Sequence, residues 1–515
     1  MPKKILLFFL ITICMGLLSA SEIRDDQLFL QVEIIPNTKS IHLKTPGELI
    51  LQEVNSPFQI KFNNPDLIIE LYKKINVNPI WRVGIKKVDT VEEARDFIRR
   101  FPETTYKKNC SLKFYNNKLF QHTEYSILKR KNFKSYDSAK NNSDIDNWIT
   151  EEFFYDSCEI YVYDQNSGED YYISAPVRLT ASNHISVFEV PKADFWNPKH
   201  YITRTYYENM LIKLSRIGKM NLISEVELEK YVAGVVPNEI GINVPVEALR
   251  TQAIAARSEA LFKVIHGAHR DDGFDLCASV HCQVYSGVTD VSTNIKKAVK
   301  STSYEVAKYD DKIVNTVYST NCGGITVSSS AAWGGSEVPY LQPVYDNKYN
   351  KKLNLNDENS AKRWLRKDLD VFCNTQKYNN WKSKTYRWLK EYTVEEFENL
   401  INSKANLGKF ERIDILERGK SGRVSKIKIS GSKEDLIMED RLQIRQFFGG
   451  LRSTLFLVVI DDTIKFFGKG SGHGVGMCQM GAIEMAHQNY QAEDILKHYF
   501  KSIRVEKISL KQTDE

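Results

Sequence analysis

Apolar and polar residues alternate along much of the first part of the chain. Over residues 27–62 the segments LFLQVEIIP, IHLKTPGELILQEV and FQIKF repeat at a period of two, which is typical of short half-buried strands. Residues 81–101, WRVGIKKVDTVEEARDFIRRF, predict a strand, a cap at Thr90 and a helix with one apolar face formed by Val91, Ala94 and Ile98. The polar residues 130–147 predict a loop or a linker.

The pattern changes near Tyr201. The segment RTYYENMLIKLSRIGKMNLISEVELEKYVAGVV predicts two strands joined by a turn at Gly218, and then a short helix. The next segment, PNEIGINVPVEALRTQAIAARSEALFKVI, predicts a helix with Pro245 in its first turn. Its apolar stripe recurs at helical spacing: Leu249, Ala253, Ala256, Ala260 and Val264. We therefore expect an α+β fold, with a strand-rich region at 21–200, of unknown role, before a second domain at 201–510.

The N-terminal 20 residues have the layout of a secretory signal. Lys3 and Lys4 precede an apolar run over residues 5–20, and small residues lie near Ser19. A run of about 16 residues is short for a membrane-spanning helix, so cleavage is favoured over anchoring. We expect an exported protein, in a periplasm or at the outer face of the cytoplasmic membrane and the cell wall.

The net charge limits the kinds of partner that the chain binds, and the number of cysteines limits how its thiols can pair. The formal net charge of +6 over 515 residues is small, and the basic residues are scattered, which argues against nucleic acid as a partner. Seven cysteines follow the predicted signal, an odd number that leaves at least one thiol outside intramolecular pairs.

One group of cysteines and histidines has the composition of a zinc site. The segment HRDDGFDLCASVHC offers His269, Cys277, His281 and Cys282, a full set of four donors with no open position. We expect one structural zinc ion there, with His266 as a competing ligand. The alternative is a Cys277–Cys282 disulfide, or two reduced thiols in the core.

Eight motifs in a fixed order resemble the SpoIID/LytB family, named for a sporulation stage II protein and an amidase enhancer. They are LEKYVAGVVPNEI, PVEALRTQAIAARSEAL, GFDLCASVHCQVYSGV, VYSTNCGGIT, PYLQPVYD, SGRVSKIKISG, RQFFGGLRSTLF and GSGHGVGMCQMGAIEMA. The resemblance runs from about residue 201 to about residue 508 and implies a SpoIID-like catalytic domain. It implies a peptidoglycan lytic transglycosylase acting on peptide-stripped glycan strands, with Glu239 as the catalytic acid and Arg257 as a functional arginine. Residues 81–101 also resemble one βα unit of SPOR-type glycan-binding repeats.

The chemistry of that reaction needs one proton donor beside the glycosidic oxygen. A glutamic acid in a partly apolar pocket can protonate the bridging oxygen near neutral pH, and Glu239 has apolar sequence neighbours. In a lytic transglycosylase the substrate's own C6 hydroxyl attacks C1 and leaves a 1,6-anhydro end, whereas a hydrolase normally adds a second carboxylate. A third possibility is a non-catalytic wall-binding module that stimulates an N-acetylmuramoyl-L-alanine amidase, and a structural alternative for Glu239 is a helix-start carboxylate.

Further residues are predicted to contact the glycan. The glycine-rich stretch 470–476 allows close backbone approach and ends in a predicted helix from Gln479. Candidate substrate contacts are Arg257, Gln283, Tyr285, Tyr318, His473 and Gln479. Four of them have a structural alternative: a salt bridge to Glu247 or Glu259 for Arg257, and a core position for the two tyrosines and the histidine.

Two cysteines depart from the pattern of the family. Cys322 and Cys478 stand where the family more often has serine, in two motifs that are expected to line one cleft. We expect their Cα atoms to lie in the range of about 4.4–6.8 Å that a disulfide needs.

Overall fold

The computed structural model describes residues 21–54, 56–144, 147–155, 157–192, 200–349, 353–374 and 383–511. It contains 23% helix and 41% strand, which confirms a mixed α+β fold. The predicted secretory signal at 1–20 lies outside the described residues. Within the described ranges, none of the helices combines the length and the apolar character needed to cross a membrane.

Strands dominate the chain up to residue 239. The elements are β1 (Glu22–Arg24), β2 (Gln27–Thr38), β3 (Ser40–Lys44), β4 (Glu48–Glu53), β5 (Gln59–Asn63), β6 (Asp66–Leu71), β7 (Val77–Val88), α1 (Val91–Arg100), β8 (Thr104–Tyr115), β9 (Lys118–Lys129), α2 (Tyr136–Lys140), β10 (Trp148–Tyr155), β11 (Glu159–Asp164), β12 (Asp170–Ser174), β13 (Val177–Ala181), β14 (Ile185–Pro191), β15 (Tyr201–Tyr206), β16 (Asn209–Leu214), β17 (Met220–Glu227) and α3 (Leu228–Glu239).

Helices and short strands alternate in the remainder. The elements are α4 (Val246–Ile265), a 3₁₀ turn (Arg270–Asp272), β18 (Leu276–Cys277), α5 (Thr293–Ser301), β19 (Glu305–Tyr309), β20 (Lys312–Ile313), β21 (Tyr318–Ser319), α6 (Ser329–Trp333), α7 (Glu358–Arg366), α8 (Ser383–Tyr386), β22 (Arg387–Thr393), α9 (Val394–Asn402), β23 (Phe410–Arg418), β24 (Val424–Gly431), β25 (Asp435–Met438), α10 (Arg441–Phe447), β26 (Phe456–Ile460), β27 (Thr463–Lys469), β28 (Met477–Cys478), α11 (Gln479–His487), α12 (Ala492–Tyr499), β29 (Arg504–Lys507) and β30 (Ser509–Lys511).

The chain forms two compact units. The first contains the described residues up to Asn238, Ala260–Val291 and the residues from Ile508 onward, and the second contains Glu239–Glu259 and Ser292–Lys507. The predicted boundary at residue 200 therefore lies within the first unit. The division into an accessory region and a catalytic domain stays a prediction.

Three sheets build the first unit. The first has the strand order β1-β2-β17-β16-β13-β4-β5, with β18 added to β2; the second has the order β12-β11-β6-β3-β14-β15; the third has the order β10-β7-β9-β30, with β8 added to β9. The predicted hairpin around Gly218 is confirmed, because β16 and β17 pair antiparallel and Gly218 has φ +70°.

The period-two segments and the strand–helix unit of the N-terminal region are also confirmed. Alternate residues of β2, such as Leu28 and Leu30, are fully buried, and β7 is followed by α1, in which the Thr90 hydroxyl accepts a hydrogen bond from the Glu93 amide at 3.1 Å. The predicted loop at 130–147 is wrong in part, because it contains α2. Phe133 and Ala139 are buried in a small apolar cluster, and this burial orders the segment.

The middle of helix α4, residues 251–261, is buried on every side. The predicted stripe is confirmed, since its five members are at most 6% exposed: Leu249, Ala253, Ala256, Ala260 and Val264. Polar residues of the same helix, Thr251, Gln252 and Ser258, are also fully buried. The small residues of this helix permit close packing by its neighbours.

Small sheets and an aromatic cluster build the second unit. The sheets have the strand orders β20-β19-β29, β22-β27-β26 and β23-β24-β25, and β21 pairs in parallel with β28. Phe397, Phe448, Phe456 and Phe466 lie in the core that α9 and α10 form with these strands. The β21–β28 pair sets Ser319 beside Cys478, and so fixes the start of α11.

Candidate active site

Glu239 is the last residue of α3. The residues around it, Val235, Val236, Pro237 and Ile240, are buried, whereas Glu239 is half-buried and Asn238 is exposed. The helix-start alternative is therefore wrong: the carboxyl lies at the C-terminal end of a helix. The carboxyl group therefore lies at the negative end of the helix dipole.

Arg257 lies in the interior of the second unit. Its side chain is fully buried, and its Nη1 donates to the carbonyl oxygen of Glu305 at 3.0 Å. Glu247, one alternative salt-bridge partner, instead accepts from Arg250 at 3.0 Å and from the amide of Ala492 at 2.9 Å. A fully buried guanidinium is placed to position its neighbours, and direct contact with a glycan would need a rearrangement around it.

His473 holds the glycine-rich turn against β21. Its Nε2 lies 2.9 Å from the carbonyl oxygen of Tyr318, and its Nδ1 accepts from the amide of Val475 at 3.0 Å. These two contacts define the neutral tautomer with the proton on Nε2. A hydrogen bond from His473 to substrate would have to displace one of them. The preceding residue, Gly472, has φ +100°, a conformation that glycine adopts without steric cost.

Trp333 is an exposed aromatic residue beside His473 that the sequence analysis missed. Its side chain is 55% exposed, and its ring centroid lies 5.1 Å from that of His473. A large exposed ring next to a predicted substrate contact offers an apolar face for a sugar. The signal in the sequence is the isolated tryptophan in AAWGG, at the end of the short helix α6.

Gln479 is buried at the start of α11. Its Nε2 donates to the Oε1 of Gln252 in α4, at 3.4 Å. Both side chains are at most 3% exposed, so this pair links the two helices within the second unit. Gln252 is a second residue that the sequence analysis missed.

Gln283 and Tyr285 lie in the first unit and are nearly inaccessible. Gln283 accepts from the hydroxyl of Tyr231 at 3.1 Å, and Tyr285 packs its ring against those of Tyr206 and Tyr231. Tyr285 is 1% exposed and Gln283 is 2% exposed. These positions match the core alternative that the sequence left open for the tyrosine.

The four predicted zinc ligands come together in the first unit. Their donor atoms, from His269, Cys277, His281 and Cys282, all lie within 4.8 Å of one another. The Nε2 of His269 lies 3.2 Å from the Nδ1 of His281 and 3.3 Å from the Sγ of Cys282, and the Nδ1 of His281 lies 3.6 Å from each sulfur.

These separations fit a tetrahedral zinc ion. Zinc–nitrogen and zinc–sulfur distances of about 2.0–2.3 Å place tetrahedral ligands about 3.3 Å (two nitrogens) to about 3.8 Å (two sulfurs) apart. Asp272 accepts from the Nδ1 of His269 at 3.1 Å, the carboxylate–histidine contact that orients a zinc-bound imidazole. Cys277 and Cys282 are free thiols, so the alternative disulfide is not formed. The hydrogen bond between the two thiols lowers the pKa of Cys277 and raises the pKa of Cys282.

Cys322 and Cys478 lie close together but form no disulfide, and their predicted Cα separation stays a prediction. Both are free thiols, and the Cys478 sulfur accepts from the amide of Cys322 at 3.1 Å. A third buried thiol, that of Cys373, lies 3.6 Å from the Cys322 sulfur, sulfur to sulfur.

Family models match two parts of the chain. The model of the Stage II sporulation protein family covers residues 216–309, which include Glu239, Arg257 and the four zinc-ligand candidates. A domain of unknown function (DUF8618) matches residues 327–476.

Relatives match more than half of the chain. An uncharacterised protein of Brachyspira hyodysenteriae is 33% identical over 302 residues, 58% of this chain and 72% of the relative. The amidase enhancer of Bacillus subtilis is 29% identical over 293 residues, 52% of this chain and 39% of the relative. The stage II sporulation protein D of Bacillus amyloliquefaciens is 28% identical over 297 residues, 55% of this chain and 75% of the relative. The chain belongs to the SpoIID/LytB family.

Proposed function

We propose that this chain is a peptidoglycan lytic transglycosylase. It cleaves the bond between N-acetylmuramic acid and N-acetylglucosamine in peptide-stripped glycan strands and leaves 1,6-anhydro ends. A cell-wall-related function follows from the family. The observation that carries the finer proposal is the position of Glu239, a half-buried carboxyl at the end of a helix that is otherwise largely buried, within the matched region.

One carboxyl is enough for this reaction. Glu239 in its acid form gives its proton to the bridging oxygen as the bond to C1 breaks, and the N-acetylglucosamine side leaves as an alcohol. The C6 hydroxyl of the muramic acid then bonds to C1 and returns its proton to the Glu239 carboxylate. Water is not consumed, and the enzyme ends in its starting protonation state.

The other residues bind and position the glycan in this proposal. Trp333 supplies an exposed ring on which a sugar stacks, and Tyr318 lies at the base of the turn that His473 holds. Arg257 is a positioning residue, because its guanidinium is buried and bound to a backbone carbonyl. The hydrogen bond between Gln479 and Gln252 holds α11 beside α4.

We also infer that His269, Cys277, His281 and Cys282 hold one structural zinc ion. Four protein donors leave no open position for a water or a substrate, so the metal orders the loop and takes no part in bond cleavage. The chain acts outside the cytoplasmic membrane in this proposal, as its first 20 residues predict.

The similarity to an amidase enhancer supports a second candidate function. In that case the chain binds wall glycan and stimulates an amidase, and it cleaves nothing alone. Partner enzyme and glycan would then meet on this protein, with Glu239 as a binding residue.

Product analysis separates these functions. Purified full-length protein is incubated with denuded glycan strands, and the products are analysed by mass spectrometry. Release of 1,6-anhydro ends by the protein alone supports the transglycosylase, and reducing ends show a hydrolase instead. If the protein alone releases nothing but accelerates peptide release by an added amidase from intact peptidoglycan, the stimulator function replaces the proposal.

A further inference from the structure

A second set of metal-ligating side chains lies in the second unit. Single donor atoms of Cys322, Asp346, Cys373 and Cys478 all lie within 4.8 Å of one another. All four residues are fully buried. No feature of the proposed glycan chemistry uses them, and the three thiols are free.

The distances suit a shared ion better than a covalent bond. The sulfurs of Cys322 and Cys373 are 3.6 Å apart, close to the separation of about 3.8 Å expected for two thiolates on a tetrahedral zinc ion. A disulfide would need about 2.05 Å between sulfurs and would leave the third thiol and the carboxylate without a role.

Backbone amides point at the sulfurs. The amide of Cys322 donates to the sulfur of Cys478, and the amide of Gly324 donates to the sulfur of Cys373, each at 3.1 Å. These hydrogen bonds fix the positions of two of the three sulfurs. Cys478 also caps the N-terminus of α11, where the helix dipole favours negative charge.

The carboxylate of Asp346 is held in place from both sides. The hydroxyl of Tyr499 donates to its Oδ1 at 2.6 Å, and the amide of Cys373 donates to its Oδ2 at 2.8 Å. Supports of this kind orient a metal-binding carboxylate. The buried Arg423 donates to the carbonyl oxygen of Cys322 at 2.7 Å and adds one positive charge near the sulfurs.

The composition of the cluster is that of a closed metal site. Three sulfurs and one oxygen are ligands that zinc accepts, and four protein donors close the site.

We propose that Cys322, Asp346, Cys373 and Cys478 form a second structural zinc site. Its ligands bracket the region that matches the domain of unknown function: Cys322 precedes residues 327–476, Cys478 follows them, and the other two lie inside. The ion therefore links ligands from the two flanks of this region to ligands inside it. Closing such long loops stabilises the fold by lowering the entropy of the unfolded chain.

Metal analysis of the full chain, purified under reducing conditions from zinc-supplemented medium, tests the site. The paired variant Cys322→Ser/Cys478→Ser introduces at both positions the residue that is more frequent in the family. We expect it to lose one zinc ion relative to the parent. Cys110→Ser, which removes a thiol outside both clusters, is the matched control and should keep the parental zinc content.

Cobalt spectra give a second readout that does not depend on how Cys322→Ser/Cys478→Ser folds. In a Cys277→Ser/Cys282→Ser background, added cobalt should still give the thiolate charge-transfer band of a three-sulfur tetrahedral site. Absence of that band overturns the proposal, as does unchanged zinc in Cys322→Ser/Cys478→Ser. A Cys322–Cys373 disulfide in the protein as isolated, or iron in place of zinc, overturns it equally.

Discussion

Replacing Gly481 by alanine should destabilise the second unit. An ideal Cβ at this position in α11 would overlap the hydroxyl of Tyr499 and lie 2.6 Å from the Oδ1 of Asp346. In an unconstrained helix the change would stabilise by about 0.5–1 kcal/mol. Here overpacking costs about 1–3 kcal/mol, and loss of the Tyr499 hydrogen bond to a carboxylate costs about 1.5–3 kcal/mol. The net expected loss is about 2–5 kcal/mol.

The assay is denaturant unfolding of the full chain, followed by fluorescence, with the change read from the transition midpoint. Gly419→Ala is the matched control, since a Cβ there meets only the flexible end of Arg441, at 3.1 Å. Its stability should change by less than about 0.5 kcal/mol. The reasoning fails if Gly481→Ala is as stable as the parent, because the close packing around Asp346 would then be incorrect.

Three further predictions concern single side chains. Trp333→Ala should raise KM for glycan by about 3–10-fold with kcat and stability little changed, because the exposed ring stacks on a sugar; a fall in kcat alone would contradict this role. Cys282→Ser should lose one zinc ion and lower the unfolding midpoint, and an unchanged zinc content would exclude the first site. Burial lowers the pKa of His498 to about 4. As the pH falls from about 6.5 to about 4, His498 therefore binds a proton in the unfolded chain but not in the folded chain, and the folded chain loses stability. Over that range the parent should lose up to about 3 kcal/mol more of its free energy of unfolding than His498→Phe. Urea unfolding at the two pH values measures this difference, and equal losses would refute the lowered pKa of His498.

Features that depend on neighbouring residues could be predicted from the sequence. The alternation of apolar and polar residues predicts β2 to β5, and the structure shows the matching alternation of burial. Thr90 predicts the start of α1, which its hydroxyl caps, and Gly218 predicts the hairpin, where it adopts a positive φ. The zinc-ligand set was found because its four members lie within 14 residues of chain, so their spacing is visible in the sequence.

Features that depend on long-range packing could not be predicted. Cys373 lies 51 residues from Cys322, and Cys322 lies 156 residues from Cys478, so only the folded chain shows that their sulfurs and backbone meet. The sequence gives no sign that Arg257 is completely buried, because the carbonyl group of Glu305 that it contacts lies in β19, 48 residues along the chain. Phe133 orders a polar segment because it exchanges two backbone hydrogen bonds with the distant Trp81 and packs in an apolar cluster with Val83.

The role of Glu239 is tested most directly by the rate at which Glu239→Gln releases 1,6-anhydro products from denuded glycan. Glutamine keeps the shape of the side chain but cannot transfer the proton, so the rate should fall by about 10²–10⁴-fold while glycan binding and folding persist. Glu229→Gln, in the first turn of the same helix α3, is the matched control and should retain the parental rate. Release by Glu239→Gln at the parental rate would contradict the account and show that another residue is the acid.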